Sequence, residues 1–178
     1  MSDGTPTKIR IWHAARDAYH CAFRLLRLLV ATPTVPVEFE RLRILDLFLL
    51  APSQLHRISM PMEMKSRFRE LEIPSDEESF ARLPSVAAMF QELRIYQGTA
   101  AGYLLAKDIF RGSFLRTGLV EFNSANIPDV LIREINLRNS TENALLQFLV
   151  RDLGSIPLSG GGDTIYRRAG LPGRHLLS

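Results

Sequence analysis

Apolar positions three and four residues apart predict two long helices at the start of the chain. Residues 8–31, KIRIWHAARDAYHCAFRLLRLLVA, carry an apolar stripe on one side and a basic stripe on another, which indicates an amphipathic helix. The prolines of the following TPTVP segment end this pattern. A second helix is predicted over residues 37–50; its first half is amphipathic, but its second half is apolar on every side. A helix of that kind is expected to be buried all round.

The middle of the chain predicts two further helices of different character. EMKSRFRELEI is a short, charged helical segment. Ser75 and Glu78 then have the spacing of an N-terminal capping box, and helical periodicity continues from there to about Phe110. The LVEF segment that follows Gly118 is rich in β-prone residues, so a small strand or wing is predicted there.

The last third of the chain predicts helices again. A helix is expected over residues 128–137, opened by its proline, and Asn139 or Ser140 is expected to cap the next one. One short strand is predicted around residues 165–166. The order of helix, helix, strand pair and helix predicts a mainly α fold with small β hairpins, an α+β arrangement like that of a winged helix.

The chain length favours a single domain. A chain of 178 residues can bury about 70% of its extended surface, so its stability requires neither a disulfide nor a metal. We predict one compact domain over residues 1–178, in which an N-terminal helical half, 1–73, precedes a winged-helix-like half, 75–178.

Composition narrows the cellular setting but leaves the partner open. Cys21 is the single cysteine, so the chain can form neither an internal disulfide nor a cysteine zinc site. Its longest apolar run is about ten residues, well short of the roughly 20 that span a bilayer. The first residues lack the pattern of a signal peptide, so a cytoplasmic protein is expected. A net charge of +3 permits nucleic acid as a partner without requiring it.

The sequence contains few patterns that are typical of a catalytic or ligand-binding site. The glycine loop SGGGDT lacks the Gly-Lys-Ser/Thr that completes a phosphate-binding loop. His13 and His20 are seven residues apart, which does not suit a helical zinc site. Cys21 follows His20 directly, but adjacent side chains on a helix point about 100° apart and do not meet. We therefore predict no catalytic, cofactor-binding or metal-binding residue, and no enzymatic activity.

Asp46 is the one residue that does not suit its surroundings. It stands inside the apolar run RILDLFLL, where an unpaired carboxylate would be costly. Arg43 lies three residues before it, and Arg24 or Arg27 of the preceding helix could also reach it. We predict that Asp46 and Arg43 belong to a structural polar anchor, a buried Asp–Arg contact between the first two helices. A catalytic role for Asp46 is the less favoured alternative.

A basic stripe on the first helix suggests a contact surface. Arg16, His20, Arg24 and Arg27 are spaced four, four and three residues apart, so they are predicted to share one helix face. A solvated helix side is the simplest interpretation of such a stripe. Because its cations are all arginine, we predict contact with an acidic protein surface or with a DNA backbone, with one arginine diverted inward to Asp46.

Two segments of the chain resemble a known family. The opening HxxxDxYHCxFRLLRLL pattern and the stretch ERLRILDLFLLAP resemble the middle component of the prokaryotic ABC-three-component defence systems, the Lamassu type among them. GLVEFN followed by a helix is also similar to the later half of that family. The resemblance covers mainly the first 55 residues or so. The positions that match the second-helix motif of the family are Arg41, Leu42, Ile44, Leu45, Asp46, Leu47, Phe48 and Pro52.

The resemblance implies a small, mostly helical and non-catalytic subunit without a cofactor, related to the winged-helix subunits of SMC complexes. Such a subunit would connect an SMC-like ATPase to an effector, often a nuclease, in defence against phage or plasmid DNA. A stand-alone winged-helix DNA-binding regulator is the alternative. It is less favoured because the helix before LVEF offers only Lys107 and Arg111 as cations for reading bases.

Overall fold

The computed structural model describes residues 14–32, 36–75 and 83–172, and these form a mainly helical fold with a small antiparallel sheet. A 3₁₀ turn, Ala14–Arg16, leads into helix α1, Ala18–Ala31. Asp17 caps this helix, because its Oδ1 accepts hydrogen bonds from the backbone N–H groups of residues 19 and 20 at 2.7 and 2.9 Å. The part of the predicted first helix before residue 14 lies outside the described residues.

Helix α2, Phe39–Leu50, lies at the centre of the fold. The eight consecutive residues 42–49 are all buried, so the prediction of a helix covered on every side is confirmed. It contacts α1 on one side and the long helix α4, Val86–Ala106, on another, while α1 and α4 also contact each other. These three helices therefore enclose the polar residues that their sequences carry among apolar neighbours.

Two more elements of the N-terminal half complete the surroundings of α2. A 3₁₀ turn, Pro52–Arg57, follows it, and the predicted charged helix is α3, Met62–Glu70. The predicted capping box includes Glu78, which lies outside the described residues. Helix α4 instead begins after Ser85, whose hydroxyl oxygen accepts a hydrogen bond from the Ala88 N–H group at 3.2 Å.

The predicted local pairing around the LVEF segment is present as an antiparallel bridge between Phe110 and Phe122, but the two-stranded sheet joins distant parts of the chain. Strand β2, Leu119–Val120, pairs antiparallel with β1, Val37–Glu38, which lies about 80 residues earlier. Gly118 makes the connection possible: it adopts a left-handed conformation (φ 67°) after the short helix α5, Phe114–Thr117, and its carbonyl accepts the Phe39 N–H at 2.9 Å. The pairing of β2 with β1 was not predicted, because strand propensity is local, whereas the choice of partner strand depends on the tertiary fold.

The C-terminal part is more helical than predicted. Helix α6, Asp129–Thr141, runs past the expected break, because Asn139 uses its side chain to contact α1 and does not cap a new helix. Helix α7, Asn143–Gln147, then continues into a π-helical turn, Phe148–Asp152.

The prediction of a strand around residues 165–166 is wrong. These residues begin the short helix α8, Ile165–Arg168, which is capped by the Thr164 hydroxyl. Both of them are buried, and two adjacent apolar residues carry no periodicity that separates a strand from a helix.

One contiguous hydrophobic core, extending from Cys21 to Leu171, joins elements of both sequence halves. Val37 of β1 and Val120 of β2 are buried within it, so the small sheet fastens the N-terminal half to the C-terminal half. No helix in the described ranges is both long enough and apolar enough to cross a membrane.

Candidate functional site

A buried polar network surrounds Asp46 where α1, α2 and α4 meet. The Asp46 side chain has no exposed surface. Its Oδ1 accepts a hydrogen bond from Arg24 Nε at 2.6 Å, and its Oδ2 accepts from Gln97 Nε2 at 2.8 Å and from Arg24 Nη2 at 3.3 Å. The Cys21 thiol lies 3.7 Å from Oδ2. The expected Asp–Arg contact between the first two helices is thus present, and it is made by Arg24.

This contact is ionic. Burial by itself would lower the pKa of the Arg24 guanidinium, but the adjacent Asp46 carboxylate outweighs that effect and raises the pKa above its ordinary value. A buried carboxylate is tolerated when a cation and further donors satisfy its oxygens. Asp46 has both, because the amide of Gln97 adds a neutral donor to the charged one.

Arg43, predicted as a partner of Asp46, forms a neighbouring part of the same network. Its Nε donates to Gln97 Oε1 at 2.9 Å, and its Nη1 donates to Glu40 Oε1 at 2.6 Å. The guanidinium also lies over the Phe90 ring, 4.5 Å from the centroid, a cation–π contact. Arg43 does not pair with Asp46 because Gln97 lies between them and bonds to both.

Gln97 is the member of this polar network that the sequence did not predict. Besides its contacts with Arg43 and Asp46, its Nε2 donates to the Arg43 carbonyl oxygen at 3.0 Å. A signal was available in the sequence. Gln97 continues the three-and-four spacing of the apolar residues Phe90, Leu93 and Leu104, which places an amide on the buried face of α4.

A second polar contact joins α1 to α6. Arg27 is 4% exposed; its Nε donates to Asn139 Oδ1 at 2.9 Å, and its Nη2 donates to Glu142 Oε2 at 2.7 Å. Asn139 returns a hydrogen bond from its Nδ2 to the Arg27 carbonyl oxygen at 3.1 Å. In the sequence, Arg27 is 112 positions away from Asn139 and 115 positions away from Glu142.

The basic stripe predicted on α1 is therefore divided between the interior and the surface. Arg24 is the arginine that turns inward to Asp46, as expected for one member of the stripe. Arg27 is also buried with a partner inside the chain, so the expectation that it shares a contact face with Arg16 and His20 is wrong. Arg16 and His20 are exposed, and Arg16 Nε bonds to Glu92 Oε1 of α4 at 2.7 Å. The sequence spacing was correct, but it could not show that α2 and α6 cover part of that face.

A groove of about 650 Å³ lies beside this face, between α1 and α6. Phe23 and Leu131 contribute apolar surface, while His20, Glu134 and Arg138 contribute polar groups of both signs. The mixed charge of this groove does not favour an acidic or a basic ligand.

The Cys21 thiol is poorly suited to nucleophilic chemistry. Burial raises its pKa far above the ordinary value, and the negative charge of Asp46 raises it further. A thiol held in its neutral form is a weak nucleophile. Within the described residues, moreover, no group of three or more His, Cys, Asp or Glu side chains is arranged to hold a metal ion.

A comparison with protein families gives the decisive observation. The family model described as ABC-three component (ABC-3C) system Middle Component 5 matches residues 10–174, nearly the whole chain. The chain belongs to this family. The resemblance seen in the first 55 residues or so is thereby confirmed at the level of the ABC-three-component middle components and extends over both halves of the sequence. Neither the curated proteins nor the solved structures contain a significant match.

Membership gives the polar network a context. A middle component is one part of a multi-component system, so it has protein partners. In this middle component the Asp46 network and the Arg27 contact fix α2, α4 and α6 relative to α1. Both are therefore structural features that set the shape of the surfaces available to partners.

Proposed function

We propose that this middle component is a non-catalytic bridging subunit of a defence complex, linking an SMC-like ATPase to an effector such as a nuclease. The observation that carries the proposal is the family match over residues 10–174. The targets of the complex would be phage or plasmid DNA, and the Lamassu type is the kind of system it would resemble. The proposed place of action is the cytoplasm, where such DNA is encountered.

The structure supports this role through the way it uses its charged residues. Arg24, Arg27 and Arg43 are each buried and each bonded to a side chain of another helix. Residues used in this manner hold elements at fixed positions, and a subunit that connects two others benefits from a rigid frame, because less conformational entropy is lost on assembly.

A relation to the winged-helix subunits of SMC complexes is part of the proposal. Its support is the combination of a helical fold with a small sheet that fastens the two sequence halves together. Contact with DNA, if the assembled complex makes it through this chain, would be independent of sequence and would weaken steeply with salt, since it would depend on counterion release.

The test is reconstitution of the complex from its three components. We expect the chain to co-purify with both the ATPase and the effector, and we expect those two to separate when the chain is omitted. Equal association of ATPase and effector in the absence of the chain would refute the bridging role, as would failure of the chain to bind either one.

A further inference from the structure

The outward side of α6 exposes two large apolar side chains. Val130 is 71% exposed and Leu137 is 63% exposed, whereas Ile135 on the opposite side is buried in the core. Val130 and Leu137 are seven residues apart, so they lie along one face of the helix, two turns from each other. The hydroxyl groups of Ser140 and Thr141 donate to the Leu137 carbonyl oxygen at 2.7 and 3.0 Å, so the polar groups at this end of the face are satisfied within the helix.

The groove beside this face extends its apolar surface. It has a volume of about 650 Å³ and lies between α1 and α6, where Phe23 and Leu131 are half-buried in its lining. Single apolar residues are ordinary on a protein surface, but apolar side chains that continue into a groove are typical of a contact site. We call the surface formed by Phe23, Val130, Leu131 and Leu137 the α6 surface.

The charged residues at the edge of the α6 surface are of both signs. Glu134 and Arg138 are one helical turn apart, and both border the groove. Arg138 Nη2 bonds to Glu142 Oε1 at 2.6 Å, but 54% of the Arg138 side chain remains exposed. Glu134 is exposed, and it forms no ion pair among the residues that the structure describes. One carboxylate and one guanidinium are thus available to a partner.

The order of these charges is self-complementary. When two identical helices pack antiparallel about a two-fold axis, the same edge of each helix faces its counterpart. An axis level with residue 136, midway between Glu134 and Arg138, brings Glu134 of each copy level with Arg138 of the other. The two Leu137 side chains then lie within about 3 Å of each other along the helix direction, so they can pack together.

We propose that two copies of the chain pair through the α6 surface, antiparallel about a two-fold axis near residue 136, with Leu137 at the centre and two Glu134–Arg138 ion pairs at the edge. Each copy would also cover part of the groove of the other. The pairing does not depend on the bridging function, because it concerns this chain alone. A bridging subunit paired in this way would present each of its partner-binding surfaces twice within one assembly.

A second copy matches the α6 surface better than nucleic acid or a partner of a single charge. Phosphates would be attracted to Arg138 but repelled by Glu134, and a strongly basic partner would meet the reverse. An antiparallel copy offers the opposite charge at both positions. Because exposed charges fix orientation more than they add affinity, the burial of Val130 and Leu137 supplies the main attraction.

Sedimentation of the purified chain at concentrations from about 1 μM to about 1 mM measures the pairing. We expect the wild type to form dimers as its concentration rises, and we expect Leu137→Glu, which places a charge at the centre, to raise the dissociation constant at least tenfold. Leu115→Glu is the matched control, because Leu115 is 79% exposed on α5, and it should dimerise as the wild type does. A wild type that stays monomeric throughout this range would overturn the proposal, as would a dimer that Leu137→Glu leaves unchanged.

Charge reversal tests the identity of the partner. Glu134→Arg and Arg138→Glu should each weaken self-association at least tenfold, because like charges would face each other across the two-fold axis. An equimolar mixture of the two variants should pair about as tightly as the wild type, because one copy then carries two arginines at this edge and the other carries two glutamates. Glu70→Arg, an exposed position on α3, is the control for charge reversal and should have no effect.

Thermal midpoints measured first show that each variant is folded. If Arg138→Glu does not fold, Glu134→Arg and Leu137→Glu still decide, since a dimer that both variants leave unchanged would overturn the proposal. Two charge variants that are each monomeric but do not pair when mixed would overturn it as well, because their charges would then not face each other.

Discussion

At the scale of single residues, Asp46 shows how an ionised group is accommodated in an apolar interior. Its oxygens are satisfied by a guanidinium from α1 and an amide from α4, at distances of 2.6 and 2.8 Å. Breaking such an arrangement at one end is more damaging than never forming it, because the remaining charge stays buried without a partner. The effect of a mutation at this site therefore depends on whether one partner is removed or both.

The Asp46→Ala variant should be strongly destabilised. Arg24 would be left as a buried cation and one N–H group of Gln97 would lose its acceptor, so the expected loss in the free energy of unfolding is about 3–5 kcal/mol. Urea denaturation of the variant and the wild type measures this difference.

The double variant Arg24→Met/Asp46→Leu provides the control. It removes both charges and fills the space with apolar atoms, so it should be less destabilised than Asp46→Ala. An unchanged denaturation midpoint in Asp46→Ala would contradict the importance of the ion pair.

Cys21 should make the stability of the protein depend on alkaline pH. Because the pKa of its thiol is raised in the folded chain, the unfolded chain releases the proton first, above about pH 8.5. Its contribution is fully present below that pH and is lost as the pH rises, at up to about 1.4 kcal/mol per pH unit. Chemical denaturation between about pH 8 and 9 measures the slope, because the tyrosines of the unfolded chain, with an ordinary pKa of about 10, contribute mainly above this range.

The Cys21→Ala variant lacks this titrating group and should show a shallower decrease in stability over the same range. Equal slopes in the two proteins would show that the thiol does not contribute to the pH dependence.

At the scale of elements, α1 is the helix to which the others are fastened. The Asp46 network joins it to α2 and α4, and Arg27 joins it to α6 through Asn139 and Glu142. Glu142 also accepts from Arg138 Nη2 on α6 itself, at 2.6 Å. Arg27 and Arg138 therefore bind the same carboxylate, but from different environments. The Arg27 side chain is 5% exposed, whereas that of Arg138 is 54% exposed.

Replacing Arg27 should loosen α6. We expect Arg27→Met to reduce the free energy of unfolding by about 1.5–3 kcal/mol, the range for hydrogen bonds to charged groups. Amide hydrogen exchange should become faster in α6 and change less in α4, which Arg27 does not contact through these bonds.

Arg138→Met is the matched control. It breaks a contact with the same carboxylate, but the contact is exposed and within one helix, so a loss of at most about 0.5 kcal/mol is expected. Equal effects of the two variants would mean that burial of Arg27 does not strengthen its contact.

At the scale of the whole molecule, one continuous hydrophobic core brings together residues that are distant in the sequence. Helix α2 lies inside it, and β1 and β2 join the two halves. This arrangement suits a component whose contribution is the relative placement of its surfaces.

The purified chain alone should show no nuclease, ATPase or protease activity. Its buried thiol is held neutral, and Asp46 is fully engaged by Arg24 and Gln97. Standard assays with magnesium, manganese and zinc measure this. Metal-dependent turnover that a single substitution in the chain abolishes would contradict the prediction.

The positions of α1, α2 and the burial of residues 42–49 could be read from the sequence. Helical periodicity and a run of apolar residues are local properties, so the sequence alone shows them. The same holds for the need of Asp46 to find a buried cation, which follows from the cost of an unpaired carboxylate.

Only the tertiary structure decided which side chains contact each other. Asp46 pairs with Arg24, 22 residues away, and not with Arg43, three residues away; Arg27 turns inward to α6, and β2 pairs with β1. Each of these contacts depends on how helices and strands from distant parts of the chain come together to bury the most apolar surface. Residue spacing within one helix carries no information about that arrangement, because it records which side chains share a face and not what covers it.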